Sequence, residues 1–458
     1  MPNAPLHIVV LAAGKGTRMQ SAVPKVLHPV AGRSMLGHVL ATASALGPAA
    51  LSVVIAPDMD AARVEIGRIA PGAGVYAQSE PLGTAHALRA AEPALAAHRG
   101  DVLVIFGDTP LIEAATLQRL LAALDGAGLA VLGFEARDPT GYGRLVTDAA
   151  GDVTAIVEER DASPRQAAIT LCNSGVMAFR MPELPKLLQR IGNDNAKREY
   201  YLTDAVALAR SDGVRTVCVT CPEEEVLGIN SRRQLAEAER IYQDRARRAA
   251  MDAGATLVAP ETVWFSFDTV LGRDVRIEPN VVFGPGCAVE DGVEILANCH
   301  FVGARIRSGA RVGPFARFRL GTDIGPNVHI GNFVEVKNAA LEDGAKANHL
   351  SYIGDGRVGA GANIGAGTIF CNYDGFNKSV TDVGPGAFIG SNSALVAPVK
   401  VGAGAYVGAG SVISKDVAAD ALVVVRGSLE ERPGWAAKFR QMMLKRRQRP
   451  GGQGPEKP

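Results

Sequence analysis

From Ile277 onward an apolar residue returns every six positions, and the beat breaks in only a few places. The run Ile277, Phe283, Val289, Ile295, Phe301 continues as Ile306, Val312, Phe318, Ile324, Ile330 and Val336. It resumes as Val358, Ile364 and Phe370, then as Val383, Ile389, Leu395, Val401, Val407 and Ile413. Glycine often follows the beat residue (Ile324-Gly325, Ile364-Gly365, Val401-Gly402), and a small or β-branched residue lies four further on (Val328, Thr368, Ala405). A period of six suits a left-handed parallel β-helix, in which each hexad forms one side of a triangular coil and three hexads close it. The beat residue points inward, while Gly and Asn fill corners that need unusual backbone angles. Such a coil is stiff and repetitive, so function is expected at its irregularities. The beat is expected to slip between Val336 and Val358, and Cys371–Lys378 read as an insertion between Phe370 and Val383.

At 458 residues the chain is too long for one core, and two or three domains are expected. Hydrophobic content of 47% and charge of 21% fit an ordinary globular protein, and the 52 glycines are explained by the coil corners. A formal net charge of +1 gives no general attraction to nucleic acid or to a membrane surface. With no long apolar run and no signal-peptide pattern, the expectation is a cytoplasmic protein without membrane insertion. Cys218-Val-Thr-Cys221 has metal or redox spacing, but it lacks a second pair and reads as part of a buried strand. No disulfides are expected.

Residues 1–229 alternate strands and helices: strands at His7–Leu11, Leu51–Ala56 and Val102–Phe106, helices at Met35–Leu46, Ala85–Ala97 and Ala114–Leu124. This pattern predicts a Rossmann-like α/β domain with a mostly parallel sheet, whose ligands collect at the carboxyl ends of strands. Residues 230–252 read as a linker helix with Leu235, Ala238, Ile241, Tyr242 and the stem of Arg245 on one face. The coil is expected over 253–433, followed by a basic, frayed tail over 434–458.

The first strand opens into Leu11-Ala12-Ala13-Gly14-Lys15-Gly16-Thr17-Arg18. A small-residue loop after a strand lets backbone N–H groups approach phosphate oxygens, although the same glycines also suit a plain tight turn. The loop is neither a Walker loop, lacking Gly-Lys-Ser/Thr at the required spacing, nor a dinucleotide fingerprint, since Met19 takes the third glycine position. Arg18 and Pro24-Lys25 add two cations suited to a triphosphate and its departing pyrophosphate. Asp108 ends an apolar strand, where a carboxylate either binds a hard cation such as Mg2+ or caps a helix.

In these features the N-terminal half resembles the sugar-1-phosphate nucleotidyltransferases, together with Gln78…Leu82-Gly83-Thr84, Phe106-Gly107-Asp108-Thr109-Pro110-Leu111 and Glu199-Tyr-Tyr-Leu-Thr-Asp204. The resemblance implies that Leu11, Ala12, Ala13, Gly14, Arg18, Lys25 and Thr84 hold the nucleotide and that Gln78 and Gly83 face uracil. It further implies that Gly143, Glu158 and Asn173 hold the sugar phosphate and that Asp108 and Asn230 bind the metal. Phe106 departs from the pattern, because close relatives often carry Tyr there.

In the coil, the irregular stretches carry Lys346-Ala-Asn348-His349-Leu-Ser-Tyr352 and Cys371-Asn372-Tyr373-Asp374-Gly375. Turns of such a coil stack about 4.8 Å apart, so both stretches can share one surface. His349 is a candidate general base, and Arg319, Lys337 and Tyr352 suit a phosphate-bearing substrate; singly, each could be a solvated coil residue. With Asn363-Ile-Gly-Ala366-Gly-Thr, the whole chain resembles the bifunctional N-acetylglucosamine-1-phosphate uridyltransferase/glucosamine-1-phosphate acetyltransferase (GlmU) family of bacterial cell-wall precursor synthesis.

That resemblance implies an α/β nucleotidyltransferase domain followed by a left-handed β-helix acetyltransferase domain. It implies N-acetylation of glucosamine 1-phosphate by acetyl-CoA, then uridylyl transfer from UTP to N-acetylglucosamine 1-phosphate with Mg2+. His349 takes the amine proton; Arg319, Lys337, Tyr352 and Asn363 bind the sugar phosphate. Ala366, Asn372, Tyr373, Ser391, Ala409 and Arg426 line the acetyl-CoA site, and the chain is a homotrimer. Glu335 is taken as the residue that orients His349. Two alternatives stand: a nucleotidyltransferase whose coil is only a scaffold, and a non-enzymatic binding protein built on both folds. The first leaves His349 with Asn372-Tyr373 unexplained, the second Lys25 with Asp108 and Asn230.

Overall fold

In a computed structural model of the chain, the described residues are 4–181, 183–195 and 197–447, without the side chains of 446 and 447. They fall into two compact units, Met1–Arg305 and Ile306–Pro458.

The first unit opens on a mixed sheet. Its strands are β1 (Leu6–Leu11), β2 (Ala50–Ile55), β3 (Gly74–Ala77), β4 (Asp101–Phe106), β5 (Leu129–Glu135), β6 (Arg144–Thr147), β7 (Val153–Val157), β8 (Leu171–Arg180) and β9 (Thr216–Thr220). Their order is β9-β5-β8-β4-β1-β2-β3, with β6 pairing β8 and β7 off this path. All neighbours on the main path are parallel except β8, which runs antiparallel to β4 and β5. Alternation along β1 sends Ile8 and Val10 to one face and Val9 and Leu11 to the other. The first face is covered by helices Met35–Ala45, Asp60–Ile69 and Ala114–Ala122, the second by Thr84–Ala90, Glu183–Arg190 and Asp204–Ser211. The helix expected over Ala85–Ala97 divides at Ala91, because Pro93 cannot donate to the preceding turn.

Cys218 sits in β9, and all six cysteines are free. Burial pushes the Cys218 thiol up to about 11 and the Cys221 thiol up to about 12. The strand reading holds for Cys218, but the strand is a half-buried edge strand, and Cys221 is buried just past its end.

Helix Arg232–Asp252 is capped by Ser231, whose hydroxyl accepts from the Gln234 N–H. Its Ala238 and Ile241 bury against Val30, Met35, Leu111 and Ile229. Gln243 is 1% exposed and reads the backbone of Phe265: Nε2 donates to the carbonyl at 2.7 Å and Oε1 accepts from the N–H at 2.8 Å. Nε2 also donates to Glu239, whose other oxygen accepts from the Ala31 N–H at 2.7 Å. A polar chain thus ties the helix to the 29–34 hairpin and to the segment leading into the first coil turns. In those turns Leu257 stacks on Ile277 and Ile277 on Ile295, while Phe283 stacks on Phe301.

The second unit is coil throughout its strands, and its inner columns are continuous. One runs Val312, Ile330, Ala347, Ile364, Ile389, Val407, Val423. Another runs Ile324, Leu341, Val358, Val383, Val401. Every beat residue from Ile277 to Ile413 is at most 3% exposed. The slip expected between Val336 and Val358 is a shortening rather than a break. Leu341, Ala347 and Ile353 carry the beat, all buried, with Val336 paired to Ile353 seventeen residues on. A side one residue short, with alanine as the inward group, is invisible to a strict count of six. The insertion is real: Val358 pairs directly with Val383, and the residues from Asn372 to Val380 loop out.

Of the segment expected as a frayed tail, Trp435–Arg447 forms an exposed helix, and 448–458 lie outside the described residues. No described helix is long and apolar enough to cross a membrane.

Replacing Gln243 with alanine strands two buried backbone groups of Phe265. Gln243→Ala is expected to cost about 2–4 kcal/mol, read as a lower urea midpoint for the first transition of the full chain.

Candidate active sites

The first site forms at the carboxyl ends of β1 and β4. Beyond Leu11 the chain runs through Ala12 to Gly16, then returns as a short turn, Lys25–Leu27. Gly16 has φ +61, and a Cβ there would lie 2.4 Å from Lys25 Cβ, so the loop closes on the lysine stem only with glycine. The Ile229 N–H donates to the Asp108 carbonyl at 3.0 Å and brings Asn230 beside the carboxylate. Lys25, 7% exposed, donates from Nζ to Asp108 Oδ2 and to Asn230 Oδ1, the latter at 3.0 Å. Asp108 is not a helix cap, because the next helix begins at Ala114 behind Glu113.

These groups border a cavity of about 460 Å3. Its wall includes Leu11, Ala12, Ala13, Gly14, Lys25, Gln78, Gly83, Thr84, Asp108, Gly143, Glu158 and Asn173, all singled out in the sequence. Asn230 stands behind the wall on Lys25, and Arg18 is exposed on its own turn outside it. Gln78 Nε2 donates to the Gly83 carbonyl at 3.1 Å and lies 3.2 Å from His86 Nδ1. Both amide hydrogens are thereby engaged, and Oε1 is left as an acceptor. The Asn173 N–H donates to the Gly143 carbonyl at 2.8 Å, which joins the two sugar-side positions. Phe106 packs against Gly175, where a Cβ would meet its ring at 2.7 Å.

Burial pushes the Glu158 carboxyl above the usual range, against the opposing pull of Lys197 and a hydrogen bond from Thr203. The wall also contains Tyr142, Ser174, Met177, Lys197, Tyr201, Leu202 and Thr203, which the sequence did not single out one by one. The only signal for the last three was the Glu199–Asp204 segment as a whole.

Asp108 and Asn230 aim two hard oxygens at one point, which the Lys25 ammonium now takes. A cation that keeps waters and borrows phosphate oxygens fits such a pair. Among the described residues no group of three or more His, Cys, Asp or Glu gathers to hold a metal by itself.

The second site lies on the coil, within the second unit. His349 ends strand Lys346–His349, in register with Asn332 one turn before. Its Nδ1 pairs with Asn332 Oδ1 at 2.9 Å; with that oxygen accepting, Nε2 keeps its lone pair. Glu335, expected to orient the ring, instead accepts from Arg319 at 3.0 Å. Asn332 was the residue to find, and the seventeen-residue turn length is the signal that locates it.

Ladder hydrogen bonds stack three of the expected acetyl-CoA residues in one column from His349, and a side-chain bond brings Arg426 to its end. The Gly367 N–H donates to the His349 carbonyl, Asn392 N–H to Ala366, Gly410 N–H to Ser391, and Arg426 Nε to Ala409. Successive members are thus Ala366, Ser391 and Ala409; Arg426 lies one residue past the next register position, since Val407 pairs with Val423, and reaches the Ala409 carbonyl through its side chain. Arg319 and Lys337 occupy successive turns, since the Arg319 N–H donates to the Val336 carbonyl, and Tyr352 pairs with Glu335. Asn363 is not brought beside them, because its strand belongs to the other sheet. Asn372 is buried at the root of the insertion, and Tyr373 is exposed on it with its hydroxyl donating to the Gly375 carbonyl.

Residues 8–168 match the MobA-like NTP transferase domain, and residues 381–415 match the bacterial transferase hexapeptide family of six repeats. The bifunctional protein GlmU of Azorhizobium caulinodans is 58% identical over 442 residues, covering 96% of this chain and 98% of that protein. The chain belongs to the GlmU family. Two further GlmU proteins agree: that of Paramagnetospirillum magneticum at 56% over 96% of this chain, and that of Sphingopyxis alaskensis at 53% over 97%, each covered to 98%. A GlmU relationship accounts for both halves of the sequence, since the matches run through the cavity and the coil alike.

Glu158 binds its proton more tightly in the fold than in the unfolded chain. It therefore favours folding below its usual range, and that contribution is lost as pH rises through its raised folded value. Glu158→Gln is expected to raise the melting temperature of the ligand-free protein at pH 8, with the gain shrinking as pH falls toward 4.5, followed by calorimetry.

Proposed function

We propose that this chain makes UDP-N-acetylglucosamine in two transfers. The coil moves acetyl from acetyl-CoA to glucosamine 1-phosphate, and the α/β cavity then moves uridylyl from UTP to N-acetylglucosamine 1-phosphate with Mg2+. The observation that carries the reading is the match of both halves, in order, to relatives named bifunctional over 96% of the chain.

In the coil, the amine of glucosamine 1-phosphate attacks the thioester carbonyl. The C–N bond forms, the C–S bond breaks, and the thiol of CoA leaves. His349 Nε2 takes the amine proton, with Asn332 holding the ring in the tautomer that leaves this nitrogen basic. Arg319, Lys337 and Tyr352 bind the sugar phosphate, and a backbone N–H near Ala366 stabilises the oxyanion. The column Ala366, Ser391 and Ala409, with Arg426, Asn372 and Tyr373, seats acetyl-CoA. The coil works as a homotrimer with the acetyl site shared between neighbours, which accounts for Asn363 lying on a different sheet from Lys337.

In the cavity, a phosphate oxygen of the sugar attacks the α-phosphorus of UTP in line, and pyrophosphate leaves. Lys25, Arg18 and the amides of Leu11–Gly14 neutralise the phosphates; Gly143, Glu158 and Asn173 hold the sugar. Asp108 and Asn230 would hold Mg2+, which when bound would supply further charge neutralisation to the phosphates. Gln78, with its NH2 turned to Gly83 and His86, offers Oε1 to the ring N–H that uracil has and cytosine lacks. We assign catalysis of this step to 1–229, the link to 230–252 and acetylation to 253–433. The setting is cytoplasmic, where UTP and acetyl-CoA are available.

The test mixes the full chain with glucosamine 1-phosphate, acetyl-CoA, UTP and Mg2+, omits each in turn, and follows free thiol and pyrophosphate. Release of pyrophosphate from glucosamine 1-phosphate without acetyl-CoA would overturn the order of steps. His349→Ala is expected to slow acetyl transfer by about 100-fold or more and leave uridylyl transfer within about twofold. Asp108→Asn is expected to do the reverse. In Gln78→Ala the preference for UTP over CTP, as a ratio of kcat/KM, is expected to fall about tenfold.

A further inference from the structure

Asp355 is a coil-corner residue with φ +48 and is 7% exposed, whereas the corner residues Asn327, Asn392 and Asp420 are exposed. Neither of its oxygens is spent on backbone. Oδ1 accepts from Asn338 Nδ2 at 2.7 Å on the turn before, and Oδ2 accepts from Asn372 Nδ2 on the turn after. The three residues recur at intervals of seventeen, so the carboxylate sits between two side-chain amides in one column. The Lys337 ammonium stands 3.9 Å from Oδ2.

An ionised carboxylate can only accept. Each neighbouring amide must therefore turn its NH2 toward Asp355 and its carbonyl oxygen away. A neutral residue of the same size imposes no such choice, because an asparagine offers one donor side and one acceptor side. Burial alone would raise the Asp355 carboxyl, but the two amide bonds and the nearby lysine charges outweigh it and hold the group below its usual range. It is ionised at neutral pH, and the acceptor-only condition applies. Asn372 also begins the insertion: its carbonyl accepts from the Ser379 N–H at 2.9 Å, closing the loop on itself.

We propose that Asp355 is a positioning residue for acetyl transfer, holding the Asn372 amide with its carbonyl oxygen presented to acetyl-CoA. The pantetheine arm of that substrate carries amide N–H donors, and a fixed acceptor at the root of the insertion is the matching group. The proposal rests on the acetyltransferase reading above.

Asp355→Ala, Asn372→Ala and the double variant are compared in the full chain by kcat and KM for acetyl-CoA. Uridylyl transfer and melting serve as controls for folding. Asp355→Ala is expected to raise the KM for acetyl-CoA about tenfold, equivalent to about 1.4 kcal/mol, with kcat changed less than about threefold. In the Asn372→Ala background the same substitution is expected to add less than about twofold, because its effect passes through that amide. Asp355→Asn, which keeps shape and solubility if alanine unfolds the corner, is expected to fall between wild type and Asp355→Ala.

An unchanged KM in Asp355→Asn and Asp355→Ala, or effects that multiply fully in the double variant, would overturn the proposal. A wild-type chain that transfers no acetyl group would instead overturn the reading on which it rests, so the two failures are separable.

Discussion

Stacking of coil turns at a spacing of about 4.8 Å governs everything that the second unit can do. Each inward Val, Ile, Leu, Ala or Phe lies on its counterpart in the next turn, and burying a branched or aromatic side chain of this kind is worth about 1.5–3 kcal/mol. A slip by one residue would turn that column outward, so the register is strongly held. Outward residues at the same phase are then stacked whether or not they interact. His349, Ala366, Ser391 and Ala409 are far apart in sequence, and successive ladder bonds place them in line, with the Arg426 side chain reaching back to Ala409. That outward column is a by-product of the hydrophobic register.

The α/β cavity is built on the opposite strategy. Its groups arrive from the ends of β1 and β4, from the Lys25 turn and from the return of the chain at Asn230, all at the carboxyl edge of a sheet buried on both faces. The sheet supplies rigidity, and the loops supply charge. Lys25 rests on Asp108 and Asn230, which avoids an unpaired buried ammonium in the absence of phosphates. Glu158 is held partly desolvated at a cost to the fold, as expected where a carboxylate is kept ready for a polar ligand.

Periodicity and apolar runs were legible from sequence because they follow from local geometry. The six-residue beat located the coil, and the three strands and three helices named for the first half fell within a few residues of their observed bounds, apart from the division of Ala85–Ala97 into two helices. Legibility failed where a rule was applied too strictly. Counting by six made a shortened side look like a break, although Leu341, Ala347 and Ile353 keep the column. Glu335 was expected beside His349 without a register argument, yet Arg319 claims that carboxylate and a neutral amide meets the ring. Tyr201, Leu202 and Thr203 were visible only as part of a segment, because the contact that brings them to the cavity spans more than a hundred residues, as with the Leu202 N–H on Thr84.

The two sites solve one problem alike, which is how to make an amide side chain point one way. Asn and Gln are nearly symmetric in shape, so packing alone does not decide which end faces the ligand. At Gln78 the decision falls to the carbonyl of Gly83, whose φ of +107 and closeness to Tyr200 exclude any side chain there. At Asn372 it falls to the Asp355 carboxylate one turn away. In both places an acceptor-only group behind the amide turns the NH2 inward and leaves the amide oxygen facing away from it. A side chain that could bond in two ways is reduced to one, and the group responsible need not touch the substrate at all.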